Sequence, residues 1–208
     1  IINCTGIIPQ KSKDFKKSII VNTLFPQKLA QFCEELNVKL IHITTDCVFD
    51  GKDGNYDELS NHNCEDIYGI TKSLGEPKNC TIIRTSIIGE ELFHKKSLLE
   101  WVKSNRGGQI DGYDNHYWNG ITCLKLSEII EEIIVENKFW KGVKHIFSPN
   151  KISKYQLCNY INHIYDLDIV INKNTDYLKN NTLTTNKEII FDVEDIEFQI
   201  IKQKDFYK

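Results

Sequence analysis

Three short apolar runs, at residues 1–4, 39–44 and 81–85, carry almost no polar–apolar alternation, and no other feature constrains the fold as much. A strand covered on one face alternates, whereas one that is apolar nearly throughout is covered on both, as in parallel sheets flanked by helices. Helical patterns lie between these runs. Phe25, Leu29, Phe32, Cys33 and Leu36 recur at helical spacing over 17–36, and 64–76 reads as a second helix that Pro77 stops. Strand, helix, strand, helix, strand predicts a doubly wound parallel α/β sheet. Right-handed crossovers then bring the carboxyl ends of the strands to one edge, where such sheets bind ligands. Cys4, Thr5 and Gly6 stand at the first of those ends, Thr44, Thr45 and Asp46 at the second, and Thr85 and Ser86 at the third. Small polar residues of this kind suit a site, and they also suit turns.

Beyond Ile88 the rhythm loosens. A helix is expected over 97–104, a short apolar run at 109–111 and an aromatic loop over 112–120. Leu126, Ile129, Ile130, Ile133 and Ile134 mark an amphipathic helix, and 143–147 reads as a strand. Ser153 and Gln156 form a capping-box opening to a helix ending at Tyr165. The polar run 172–186 reads as a loop, and the tail from Glu188 is apolar enough to pack. The chain is expected to divide near residue 88 into a sheet portion, 1–88, and a smaller lobe, 89–208, with some segments returning to the sheet.

Composition narrows the class. The net charge is −3, which gives no basic surface for nucleic acid or acidic membranes. No apolar run is long enough to span a bilayer. Seven cysteines are scattered without a C-x-x-C, so reduced thiols in the cytoplasm are expected rather than a disulfide framework or a zinc site. The six histidines show no ligand spacing, and no metal is expected. The chain contains no methionine and begins inside a strand-like run. It is therefore expected to be a fragment, or to lack residues in the sequence as written.

Chemistry enters with Tyr68 and Lys72, a Y-x-x-x-K pair. Positions four apart share a helix face, so the phenol and the ammonium are expected to be neighbours, the cation lowering the tyrosine pKa. A Thr45 hydroxyl at the end of the second strand would then donate to the same carbonyl oxygen that Tyr68 protonates. Two donors to a developing alkoxide are what hydride addition to a ketone requires.

Three ordered segments resemble the extended short-chain dehydrogenase/reductases, and most closely the dTDP-4-dehydrorhamnose reductase group. They are Thr44 to Gly51 (TTDCVFDG), Tyr68 to Glu76 (YGITKSLGE) and Arg84-Thr85-Ser86, with Ile2-Asn3-Cys4 and Val21-Asn22 also similar. The resemblance implies a Rossmann-like sheet and NADP or NAD as cofactor. It implies reduction of a keto group on a nucleotide-activated deoxysugar for surface polysaccharide synthesis. Tyr68 would give the proton, Lys72 would hold the nicotinamide ribose, and Thr45 would orient the substrate carbonyl. Cys4, Thr5, Gly6, Thr85 and Ser86 would line the cofactor, with Asn22 supporting them. Asp46, Cys47, Asn115, Trp118 and Asn119 would face the sugar nucleotide, Trp118 fitting the core equally well. The partner is then the substrate itself, and a homodimer is compatible. An epimerase or dehydratase of the same superfamily, or a non-catalytic regulatory subunit, would show the same motifs.

The family usually has an aromatic residue where Cys47 stands and a tryptophan where Ile87 stands, which points to a related keto sugar. It also opens with a strand and a Gly-rich turn that holds the pyrophosphate. Neither Gly6 nor Gly107-Gly108 fits that turn, so the chain is not expected to turn over alone.

Overall fold

The computed structural model describes residues 1–8, 14–93 and 95–208. The first strand, β1 (Ile2–Asn3), leads to a long helical segment in three parts: α1 (Phe15–Ser18), a π-helical stretch (Ile19–Leu24) and α2 (Phe25–Glu35). Then follow β2 (Ile41–Thr45), α3 (Ile67–Leu74), β3 (Thr81–Thr85), β4 (Ile87–Ile88) and α4 (Leu98–Ser104). Next come β5 (Gln109–Tyr113), β6 (His116–Trp118), β7 (Ile121–Thr122), α5 (Cys123–Val135) and β8 (Gly142–His145). The chain ends with β9 (Ile152–Ser153), α6 (Lys154–Tyr165), β10 (Val170–Asn174), β11 (Lys179–Asn180) and α7 (Ile196–Phe206).

The central sheet is parallel throughout, in the order β1-β2-β3-β8, with Thr45 in register with Thr85 and Arg84 with His145. One face buries Ile41 and Ile83 against Ile129 and Ile133 of α5. The other buries Leu40 and Ile82 against Ala30 and Cys33 of α2. Each fully buried isoleucine contributes about 1.5–3 kcal/mol, and the two faces together explain why the strands read as apolar runs. The doubly wound sheet expected from the sequence is the one observed, and β8 and α5 return to it from beyond residue 88.

The helix expected over 17–36 is interrupted, and Pro26 supplies the reason. Proline has no N–H to give the carbonyl four residues back, here that of Asn22, and its ring crowds that oxygen. The helix widens, the Phe25 amide bonding back to the Ile20 carbonyl. The Asn22 carbonyl instead meets Gly75, where a Cβ would lie 1.8 Å from it.

The aromatic loop expected over 112–120 and the polar loop expected over 172–186 are partly strands. Residues 109–113 pair in parallel with 170–174, and His116 and Tyr117 with Lys179 and Asn180. Such short, partly polar strands meet partners about sixty residues away, so no local alternation announces them. Around them a second core gathers Leu99 and Val102 of α4, Leu157 and Ile161 of α6, Trp118, and Ile196 and Ile200 of α7.

Candidate active site

The site lies at the carboxyl edge of the sheet. At the end of β1, Cys4, Thr5 and Gly6 are exposed. Asn22, almost fully buried in the π-helical stretch, holds the segment after them. Its side-chain oxygen accepts from the Ile7 amide (2.7 Å), and its amide nitrogen donates to the Ile7 carbonyl (3.1 Å) and the Thr71 hydroxyl (3.1 Å). Asn22 thus ties the first strand's loop to α3. Thr23 adds a bond to the Thr71 carbonyl at 2.7 Å.

α3 carries Tyr68 and Lys72. Asp66 caps it by accepting from the Gly69 amide at 2.9 Å. Gly69 lets the helix press onto the turn after β2, where its missing Cβ leaves room for the Cys47 carbonyl. The Lys72 ammonium is buried and donates to the Ile43 carbonyl at 3.0 Å. Burial pushes its pKa down to about 8, with Glu76 and Cys4 pulling the other way.

Tyr68 departs from the sequence expectation. Burial raises its pKa, Cys47, Asp46 and Asp66 raise it further, and only a hydrogen bond with Thr45 opposes them. The phenol is therefore held protonated rather than poised as phenolate. The sequence argument erred because it counted the cation four residues away and not the desolvation that comes with packing α3 onto the sheet.

Thr45 and Asp46 form the turn next to Tyr68. The Thr45 hydroxyl donates to an Asp46 carboxylate oxygen at 3.2 Å and accepts from the Cys47 amide at 3.1 Å. Asp46 is buried, which raises its pKa against the pull of Lys154. An open cleft of about 570 Å³ begins here, lined by Tyr68, Cys47, Phe49, Cys64, Asp66 and Lys179 among others. Thr85 is buried and Ser86 partly exposed, one strand over.

Behind the site, Arg84 of β3 is fully buried in a polar network. It bonds Glu76 through Nε (3.1 Å) and through a terminal nitrogen (2.6 Å), and it also bonds His62 and His145, each at 2.8 Å. The network joins α3, the loop after β2 and β8.

The three residues expected on the later loop are placed differently from one another. Both polar atoms of the Asn119 side chain are used by the Leu183 backbone, each at 2.8 Å. Asn115 donates to the Thr175 carbonyl. Trp118 is buried in the second core, with the Lys154 ammonium 4.4 Å from its ring centroid. The sequence reading passed over two residues, Lys154, whose charge acts on Asp46, and Lys179, which acts on Asp46 and lines the cleft. One signal was available for Lys154. It opens α6, and a cation in the first turn of a helix opposes the macrodipole. Lys179 lay in the run read as loop and gave no signal.

All seven cysteines are free thiols. Among the described residues no helix is long and apolar enough to cross a membrane, and no three His, Cys, Asp or Glu side chains gather as a metal site.

Comparisons with known proteins agree with this geometry. Residues 11–168 match the family model described as the RmlD substrate binding domain. The chain is 29% identical over 169 residues to a dTDP-4-dehydrorhamnose reductase of Aggregatibacter actinomycetemcomitans, covering 74% of the chain and 57% of that protein. It is 26% identical over 171 residues to a dTDP-4-keto-6-deoxy-D-glucose reductase of Streptomyces niveus, covering 76% and 57%. The chain thus spans a little over half the length of these relatives. The fold matches a Bacillus anthracis dTDP-4-dehydrorhamnose reductase solved with NADP, at a TM-score of 0.83 and 18% identity, over 100% of this chain and 80% of that one. A reductase from Clostridium acetobutylicum gives 0.81 and 17%, over 99% and 80%. On the match across well over half its length, this chain belongs to the RmlD substrate binding domain family.

Proposed function

We propose that the protein reduces a keto group on a nucleotide-linked deoxysugar with NADPH or NADH, serving surface polysaccharide synthesis. The observation that carries this reading is a half-buried Tyr68, held protonated by its surroundings, beside Thr45 at the carboxyl edge of the sheet. A reductase needs a proton donor at the carbonyl oxygen, and a phenol kept neutral by its surroundings is one. The relatives' names give the substrate class, a dTDP-linked 4-keto-6-deoxyhexose.

The residues fit the nicotinamide end of the cofactor. Cys4, Thr5 and Gly6 leave the β1 edge open, and a Cβ at Gly6 would stand 3.9 Å from the Lys72 ammonium. A ribose passing over Gly6 would therefore meet Lys72, with Thr85 and Ser86 bordering the ring and Asn22 holding the loop. When bound, the cofactor supplies hydride to the ketone carbon. Tyr68 then gives its proton to the oxygen, Thr45 orients that oxygen, and the charge on Lys72 supports the tyrosinate that remains.

Residues 1–88 would form the cofactor side and 89–208 mainly the substrate side, with α5 and β8 returning to the sheet. Free thiols suit the cytoplasm. Apolar side chains exposed on α2, at its C-terminal end and on α3, Phe32, Leu36 and Leu74 among them, are where a second copy would pack.

The test is stoichiometric. With the full-length protein, one NADPH oxidised per keto sugar reduced supports the reading. Conversion of the sugar without net consumption of NADPH replaces it with an epimerase or dehydratase.

A further inference from the structure

Two asparagines hold the loop after β1, one at each end. Asn3 is buried, and its side-chain oxygen accepts from the Thr5 amide at 3.1 Å. Asn22 takes the Ile7 backbone from the other side, and Thr71 of α3 braces it. Between them the chain passes Lys72, where a Cβ on Gly6 would stand 3.9 Å from the ammonium. The course of Cys4, Thr5 and Gly6 is therefore set by two carboxamides, and each needs a brace.

The brace for Asn3 is His42 of β2. The two residues are in register, and the Asn3 amide nitrogen lies 3.0 Å from His42 Nδ1. The Thr5 amide can only donate, so it turns the Asn3 oxygen toward the loop and the NH2 group toward His42. Nδ1 must then accept, which puts the ring proton on Nε2. Burial, with the Lys72 ammonium adding to it, pushes the His42 pKa down to about 3 against a contact with the Asn3 backbone. The ring is therefore neutral. A charged ring would donate from both nitrogens and oppose the NH2 group of Asn3.

This arrangement is costly. His42 is fully buried, and among the described residues its Nε2 has no hydrogen-bond partner. An unpaired N–H in the interior is destabilising, and a leucine would fill the place without one. What the imidazole offers and leucine does not is an acceptor for Asn3.

We propose that His42 is a positioning residue for the dinucleotide cofactor: its Nδ1 holds Asn3, and Asn3 sets the loop over which the nicotinamide ribose would pass. This role rests on the function proposed above and names the residues that keep the cofactor side in shape.

The test is calorimetric titration of the full-length protein with NADP⁺ and NAD⁺, beside urea unfolding of each variant. His42→Leu fills the site and removes the acceptor, whereas His42→Asn keeps an acceptor near the place of Nδ1 and leaves a cavity. His42→Leu is therefore expected to weaken the preferred dinucleotide about tenfold, the effect of one hydrogen bond, with stability close to the parent's. His42→Asn should bind nearly as the parent does while losing stability. A histidine that only packs gives the opposite order, because binding would then follow stability. Asn3→Ala should weaken binding as His42→Leu does, and the double variant should bind no worse than Asn3→Ala alone. In turnover the loss should fall on KM for NADPH rather than on kcat. Parental binding in His42→Leu overturns the role, as do binding that follows stability across the variants and a parent that binds neither dinucleotide. If His42→Leu does not fold, the ¹⁵N shifts of His42 in the parent decide. A proton on Nε2 upholds the role, and a proton on Nδ1 overturns it. Binding that depends on His42 and Asn3, in a protein that reduces no keto sugar, upholds the role and removes the function. Reduction with a parental KM for NADPH in His42→Leu does the reverse.

Discussion

A Cβ on Gly69 would stand 2.2 Å from the carbonyl oxygen of Cys47. That close approach seats α3 on the turn that carries Thr45 and Asp46, and it is why the residue after Tyr68 has no side chain. Gly69→Ala must push the helix away from a backbone atom that cannot yield. We expect a loss of about 1–3 kcal/mol in urea unfolding, and a fall in kcat on the order of 10²-fold because Tyr68 moves with the helix. Unfolding curves and initial rates check both, and an alanine variant with parental kcat would show that the approach has no bearing on Tyr68.

In the proposed reaction, Lys72 sets a pH limit. Burial lowers its pKa to about 8, so the ammonium is charged below that pH and neutral above it. kcat/KM should fall as the pH rises through about 8, well before the phenol ionises. Rates measured from pH 6 to 10 test this, and a flat profile to pH 10 speaks against a charged Lys72.

Acid should destabilise the protein earlier than its carboxylates alone would require. Burial and the Arg84 guanidinium push His145 down from 6.5 to about 4, and His62 is also lowered. His42, buried beside Lys72, falls to about 3. The unfolded chain then binds more protons than the folded one, so this stability is complete above about 6.5 and is lost as the pH falls toward 4. The loss from His145 alone is on the order of 3 kcal/mol. Unfolding free energies at pH 7, 5.5 and 4.5 should decline in that order, and His145→Gln should flatten the slope.

Glu76 and Arg84 form a buried pair at 2.6 Å. Removing one partner strands the other charge, so Glu76→Ala should cost about 3–5 kcal/mol. The double variant Glu76→Leu/Arg84→Met should cost less than the sum of its singles. A double-mutant cycle by chemical denaturation measures the difference, and additive losses would mean that the pair is not coupled.

The fold was legible where burial is two-sided. Ile41, Ile43, Ile82 and Ile83 announce parallel strands because both faces of that sheet are covered, and Ser153 with Gln156 announces α6 through a local cap that the structure retains. The strands at 116–118 and 179–180 were not legible, because their pairing is non-local and their residues are partly polar. At the site, spacing alone placed Tyr68 and Lys72 on one helix. It did not reveal that packing raises the tyrosine's pKa, nor that Lys154 of α6 and Lys179 of β11, distant in sequence, come near Asp46.

The most direct test is the reduction of a dTDP-linked 4-keto-6-deoxyhexose by Tyr68→Phe in the full-length protein, followed by NADPH oxidation. Loss of general acid catalysis should lower kcat by about 10²–10⁴-fold, with dTDP binding retained. NADPH oxidation at the parental rate would contradict the role assigned to Tyr68, and with it the reductase reading.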